Sequence, residues 1–145
     1  MDQLRFEIVT PERVVLKTDA MSITVPTKQG EITILPHHIA LVASLAPGTL
    51  TIRHNDTVEE MAVSGGFIEV LPTKVVVLAD TAERAVEIDE ARAEAAYQRA
   101  QALMTAKRHD AEGYAAIVGQ LEKELARLRT VRRRQYRNLP PPQQK

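Results

Sequence analysis

From Leu4 to about Ala79, apolar residues recur at every second position. Leu4, Phe6 and Ile8 alternate with Arg5 and Glu7; Met21, Ile23 and Val25 with Ser22 and Thr24; Leu50 and Ile52 with Thr51 and Arg53. The runs 58–63, 67–70 and 75–79 follow. A period of two sends successive side chains to opposite faces, so each run predicts a strand with one face on a core. Turn formers separate the runs: Thr10-Pro11-Glu12, Pro26-Thr27-Lys28-Gln29-Gly30, Pro47-Gly48, Asn55-Asp56, Gly65-Gly66 and Pro72-Thr73. Short strands at this spacing, with no helical signal among them, predict an antiparallel β-sandwich or barrel.

Past about Asp80 the period changes. Alanine dominates residues 91–106 and has the best helix propensity of any residue. Asp89 stands before this run and is placed to cap it. The pattern breaks around His109-Asp110, with Gly113 a further weak point. A second helical pattern then carries Tyr114, Ile117, Val118, Leu121, Leu125 and Leu128 at intervals of three and four. Two helices with a short connection predict an antiparallel hairpin. The fold class is therefore α+β: a β unit over 1–86, a two-helix hairpin over 87–137 and a Pro/Gln tail over 138–145, expected to be disordered or polyproline-like.

The first helix offers mostly methyl groups, with Tyr97, Leu103 and Met104 its few large side chains. Alanine packed on leucine buries far less apolar area than leucine on leucine. Such a hairpin needs a third surface, either the β unit or another protein.

Composition narrows the function. The chain has 145 residues, 44% hydrophobic and 26% charged, as in an ordinary globular protein. Its 19 basic and 19 acidic residues cancel, which argues against a uniformly basic nucleic-acid binder. Cysteine is absent, excluding disulfides, thiolate metal sites and a Cys nucleophile. With no Trp, two Phe and three Tyr, stacking platforms for bases are few. No stretch approaches the ~20 apolar residues of a membrane span, so the expectation is a soluble protein that reaches a membrane through a partner.

The zero charge conceals an asymmetry. Residues 1–86 hold 7 basic and 11 acidic side chains, a net of −4; residues 87–145 hold 12 and 8, a net of +4. Arg127, Arg129, Arg132, Arg133, Arg134 and Arg137 crowd the end of the second helix, with no acid after Leu125. Only Tyr136 is interleaved among the last of them, so an acidic protein surface suits this cluster better than nucleic acid.

Catalytic and metal motifs are missing. Gly65-Gly66 lies between apolar runs with no following Gly-Lys-Ser/Thr, and the expectation there is a tight connection needing glycine dihedrals. Ser64 has no His or Asp pattern to activate it. His37 and His38 are adjacent and point to opposite faces of an extended segment, which is poor geometry for one metal ion. The segment Glu87-Ile88-Asp89-Glu90-Ala91-Arg92-Ala93 reads first as a helix start, with Asp89 as cap and Arg92 paired to a nearby acid. Its second reading pairs Arg92 with Arg99, seven residues on and so on one helix face, as a clamp for an anion.

Several segments together resemble the epsilon-subunit family of bacterial F-type ATP synthases, the delta subunit in mitochondria. They are Ile8-Val9-Thr10-Pro11-Glu12, Gly30-Glu31-Ile32-Thr33-Ile34-Leu35-Pro36-His37-His38, Met61-Ala62-Val63-Ser64-Gly65-Gly66-Phe67-Ile68-Glu69-Val70, Val77-Leu78-Ala79-Asp80-Thr81-Ala82-Glu83-Arg84-Ala85 and Ile88-Asp89-Glu90-Ala91-Arg92-Ala93. They run in order from about Phe6 to Arg99; the second helix matches only in character.

The resemblance implies a sandwich of about ten strands, a two-helix hairpin and a non-catalytic rotor role in the central stalk. It implies contact with the gamma subunit and the c-ring, with Glu31 and His38 at the family positions for those contacts. The complex would lie on the cytoplasmic face of the bacterial cell membrane and make ATP from an ion gradient. The hairpin would act as a brake, folded on the sandwich when hydrolysis is permitted and extended along gamma when it is blocked. Extended, Arg127, Arg129, Arg132, Arg133 and Arg134 would meet acidic segments of the alpha and beta subunits. Some members bind ATP between the sandwich and the folded hairpin, and the matching positions here are Glu83, Ile88, Asp89, Ala91, Arg92, Ala93 and Arg99, with Arg127 available. ATP would be a regulatory ligand, not a required cofactor.

The chain departs from the family at Thr33, where Gly is usual, and at His37, where Gly is frequent. Its Arg-rich end and Pro tail run past the usual family end. A free-standing ATP-sensing or anion-binding module, with the hairpin as its lid, is the alternative.

Overall fold

The computed structural model describes residues 2–107 and 110–140. His109, at the expected helix break, and 141–145 of the expected tail lie outside the described residues.

Eight strands come first: β1 (Leu4–Val9), β2 (Val14–Ala20), β3 (Ser22–Thr27), β4 (Gly30–Ile34), β5 (Leu41–Ser44), β6 (Gly48–Arg53), β7 (Val58–Leu71) and β8 (Lys74–Arg84). They pair in the order β2-β1-β8-β7-β6-β3-β4, with β5 also on β7. Pairing is antiparallel except between β1 and β8, which run parallel, a departure from the all-antiparallel expectation. The alternation read from the sequence sets the core. Leu4, Phe6, Ile8, Ile23, Val25, Leu50, Ile52, Met61, Val63, Val75 and Val77 are buried together, and the residues between them face outward.

The Gly65-Gly66 pair does not connect two strands. It lies inside the 14-residue β7, whose pairing with β8 keeps one register from Met61↔Arg84 to Leu71↔Lys74. Both glycines have positive φ, +68° and +110°. A Cβ on Gly66 would stand 2.0 Å from the Leu78 carbonyl oxygen, so no larger residue fits. This bend lets residues 58–63 of β7 pair with β6 and residues 67–70 pair with β5. The strand thereby serves both layers of the sandwich, and β8 follows it. The eight continuous strands are slightly fewer than the about ten expected, because β7 and β8 each run on through the bend.

Thr33 sits in regular β4, its hydroxyl 2.9 Å from that of Thr24. His37 takes the left-handed region itself, φ 65°, among the described residues the one non-glycine to do so. Its N–H donates to the Pro72 carbonyl at 2.8 Å, and its Nε2 lies 2.8 Å from Asp2. These contacts hold a conformation that glycine would adopt at no cost.

A single 3-10 turn, Ala85–Glu87, leads to α1 (Glu90–Ala106), and α2 (Ala111–Arg137) returns antiparallel to it. Asp89 caps α1, its carboxylate accepting from the Arg92 N–H at 3.0 Å. Asp110 caps α2 through the Gly113 N–H at 3.2 Å. Gly113 therefore stands in the first turn of α2, just past the break. A Cβ there would stand 2.5 Å from an Asp110 side-chain oxygen, which would have to shift to admit it.

The hairpin finds its third surface on the sandwich. Among the described residues, α2 packs on β6, β7 and the 3-10 turn, and α1 packs on the other side of α2. Leu128 and Val131 of α2, Ala93 of α1, Ile88 and Ala62 form a small second core, with Tyr97 against it.

Candidate functional site

The joint between α2 and the sandwich is built from side chains that the strand period turns away from the main core. Thr49 and Thr51 of β6 alternate with Leu50 and Ile52; Glu60 and Ala62 of β7 alternate with Met61 and Val63. Register sets them side by side: Thr49 opposite Ala62, Ala62 opposite Glu83, Thr51 opposite Glu60. On a free sandwich this face would meet water. Here Thr49, Thr51, Glu60 and Ala62 are buried beneath α2.

The helix answers with residues 127, 130, 133 and 137, whose spacing of three to four lays them along one face. Arg127 donates from Nε and Nη2 to the two carboxylate oxygens of Glu83, at 2.7 and 3.1 Å, and from Nη1 to Glu124 at 2.7 Å. The hydrogen bond to Glu83, opposed by burial and reinforced by Glu124, holds the Arg127 guanidinium above its ordinary pKa. The Thr130 hydroxyl lies 2.8 Å from that of Thr49. Glu60 receives Arg137 at 2.8 Å and Arg133 at 3.5 Å, and Arg137 also donates to the Val58 carbonyl at 3.2 Å. A cleft of about 340 Å³ opens at this end, lined by Glu59, Glu60, Arg84, Arg134 and Arg137 among others.

The opposite side of α2 ties to α1. Arg132 bridges Glu90 at 3.1 Å and Glu94 at 2.9 Å, and Gln135 donates to Glu90 at 2.9 Å. The bonds from Gln135 and Arg132 hold the Glu90 carboxyl below its ordinary pKa.

The residues offered for a nucleotide are divided among structural tasks. Ile88 and Ala93 belong to the second core, and Asp89 is spent on its cap. Glu83 and Arg127 are each other's partners. Ala91, Arg92 and Arg99 are exposed on α1. Arg92 makes no ion pair among the described residues, so the pairing expected for it at the helix start is absent. Of the arginines expected to meet acidic partners, Arg127, Arg132 and Arg133 are engaged by acids of this chain, while Arg129 and Arg134 are not paired among the described residues. Glu31 is exposed on β4, 3.9 Å from Arg133. His38 sits in the loop after β4, its Nδ1 2.7 Å from the Ile39 carbonyl.

Sequence reasoning missed Glu60, Thr49, Thr130 and the pairing of Arg137. The alternation already placed Glu60 and the threonines on one outward face, and residues 127, 130, 133 and 137 on one helix face. What it lacked was any sign that the two faces meet.

Both units of this architecture match a known family. The description "ATP synthase, Delta/Epsilon chain, beta-sandwich domain" fits residues 3–85, and "ATP synthase, Delta/Epsilon chain, long alpha-helix domain" fits residues 87–132. The chain belongs to the ATP synthase delta/epsilon family. The ATP synthase epsilon chain of Chloroflexus aggregans is 50% identical over 130 residues, covering 87% of this chain and 90% of its own. That of Herpetosiphon aurantiacus is 42% identical over 134 residues, 92% of this chain and 98% of its own. A chain in the Euglena gracilis mitochondrial ATP synthase structure shares the fold with a TM-score of 0.76 at 24% identity, over 87% of this chain and 79% of that one. Within the delta/epsilon family, the matched helical region ends at Arg132, so Arg133, Arg134 and Arg137 lie beyond it.

Proposed function

We propose that this chain is the epsilon subunit of an F-type ATP synthase, a non-catalytic part of the rotor in the central stalk. It couples gamma to the c-ring during ATP synthesis driven by an ion gradient. The match of both units to the delta/epsilon family carries this reading. The named relatives are epsilon chains, and the Euglena chain with the same fold comes from an OSCP/F1/c-ring assembly. Among the described residues no helix is long and apolar enough to cross a membrane, which suits a subunit held at the cytoplasmic face through its complex. Glu31 and His38 serve the c-ring and gamma contacts. A rotor subunit stays with gamma through purification; a chain that runs alone would overturn this reading.

The hairpin serves as a brake on hydrolysis. The joint that holds it combines a small apolar cluster, Leu128 and Val131 against Ile88 and Ala62, with the hydroxyl and charged side chains of Thr49, Thr51 and Glu60, and water receives the polar part when α2 lifts. Lifted, Arg127, Arg129, Arg132, Arg133 and Arg134 are available to acidic segments of the alpha and beta subunits. Deleting residues 127–145 should raise ATP hydrolysis by the reassembled complex; unchanged hydrolysis would remove the inhibitory role from this segment.

ATP is a regulatory ligand of the folded arm. Arg92 and Arg99 are exposed on α1 with no ion pair among the described residues, and phosphate would compete with Glu83 for Arg127. Isothermal titration of the full chain tests this; no heat at millimolar ATP would refute it.

A further inference from the structure

Glu60 is a carboxylate in an unusual place. It is 4% exposed, it lies on the outward face of β7, and its Oε2 has no hydrogen-bond partner among the described residues. Removing a carboxylate from water is costly unless opposite charge meets it. Among the described residues only α2 supplies that charge, through Arg137 at 2.8 Å and Arg133 at 3.5 Å. The neighbours across the joint cannot substitute: Thr49 and Thr51 are hydroxyls, Ala62 is a methyl, and Glu83 is occupied by Arg127.

The two guanidiniums differ from the carboxylate in exposure. Arg133 and Arg137 side chains are 50% and 35% exposed, so water receives them readily if the helix end lifts. Glu60 is then hydrated as well, on a face the strand alternation already made polar. Closing the contact therefore exchanges hydration for ion pairing within a narrow balance, as a reversible fastening requires. Arg137 adds a second anchor through its bond to the Val58 carbonyl. Both arginines follow Arg132, where the matched family region ends.

We propose that Glu60 is the socket of an ionic latch, closed by Arg133 and Arg137, that holds the arm down on the sandwich. The arginine-rich end of α2 thus has a use inside its own chain: it keeps the arm folded. The latch rests on the reading of the arm as movable, and it gives Glu60→Gln a definite sign. That change lies on the sandwich and leaves every arginine in place, so it frees the arm without weakening any contact the extended arm makes.

Amide hydrogen exchange on the full-length isolated chain tests the latch. Glu60→Gln and Arg137→Gln should each speed exchange in residues 126–137 about tenfold, the scale of one partly exposed charge-assisted contact. Exchange in the sandwich core should not change, and Lys123→Gln, a charge removal elsewhere on α2, should leave residues 126–137 as they were. Raising the ionic strength to about 1 M, where the Debye length is ~3 Å, should loosen the wild type toward the variants. Unchanged exchange in Arg137→Gln, or equal loosening by Lys123→Gln, overturns the latch. If Glu60→Gln disturbs the sandwich core, Arg137→Gln decides alone. Loss of gamma retention would sink the rotor reading and leave the exchange result intact; normal retention with unaltered exchange would sink the latch alone.

Discussion

The hydroxyls of Thr49 and Thr130 meet at 2.8 Å in a buried joint, 81 residues apart in the chain. Thr130 is wholly buried and Thr49 nearly so. Each satisfies the other, so the pair adds both order and polarity to a surface that α2 covers. Thr130→Val keeps the shape and removes the partner, leaving a buried hydroxyl on Thr49. It should loosen α2 by about 1–2 kcal/mol, read from amide exchange in residues 126–137. The double replacement with Thr49→Val should cost less than the sum of the singles, because neither hydroxyl is then left alone.

Arg127 is the most heavily committed side chain of the joint. Arg127→Ala leaves Glu124, whose side chain is 4% exposed, with its carboxylate unneutralised, and strands Glu83 on β8. The expected cost is about 2–4 kcal/mol, reduced from a fully buried case because Glu83 is one-third exposed. Arg127→Lys keeps the charge and loses the two-pronged contact with Glu83, and should cost about 1 kcal/mol. Equal effects of the two variants in urea unfolding would contradict this division.

The corner in β7 is a backbone requirement. Gly66→Ala must place a methyl 2.0 Å from the Leu78 carbonyl oxygen, at φ +110°. The β7–β8 pairing has to open there, and the sandwich should lose about 3 kcal/mol or more in urea unfolding. Gly119→Ala is the contrast: its added methyl meets nothing within 4 Å, and in the interior of α2 it should be neutral or slightly stabilising.

Glu90 makes the contact between the two helices sensitive to acid. Bonds from Gln135 and Arg132 hold its native pKa below the ordinary value. The depressed native value means its contribution is complete above the ordinary carboxylate pKa and is lost as pH falls through the lowered one. Its side-chain carboxyl resonance should titrate below an unpaired glutamate, and Gln135→Ala should move it back toward the ordinary value. An unchanged titration in that variant would remove Gln135 as the leading cause.

How much of this was legible beforehand follows from which interactions are local. Leu4, Phe6 and Ile8 announced a buried face because a strand's two faces follow directly from chain geometry. Asp89 announced a helix start because a cap bonds within its own turn. Gly65-Gly66 announces special dihedrals but not which structure uses them, since a bend inside one strand and a turn between two need the same glycine freedom. The bond from the Gly113 N–H was out of reach for a related reason: it depends on the Asp110 carboxylate folding back over the turn.

The sequence alone determined the two periods, the site of the change between them, the acidic and basic halves and the segments that mark the family. All of these are properties of neighbouring residues. Only the tertiary structure decided that α2, rather than α1, lies on the sandwich, and that it lies across β6, β7 and the end of β8. The threonines and Glu60 on that face were polar by pattern and therefore expected in water. They are buried because a helix built from the last third of the chain brings Arg127, Thr130, Arg133 and Arg137 to meet them. Charge pairing across such a separation leaves no local signal: each half looks like an ordinary solvated surface until the fold sets the two together.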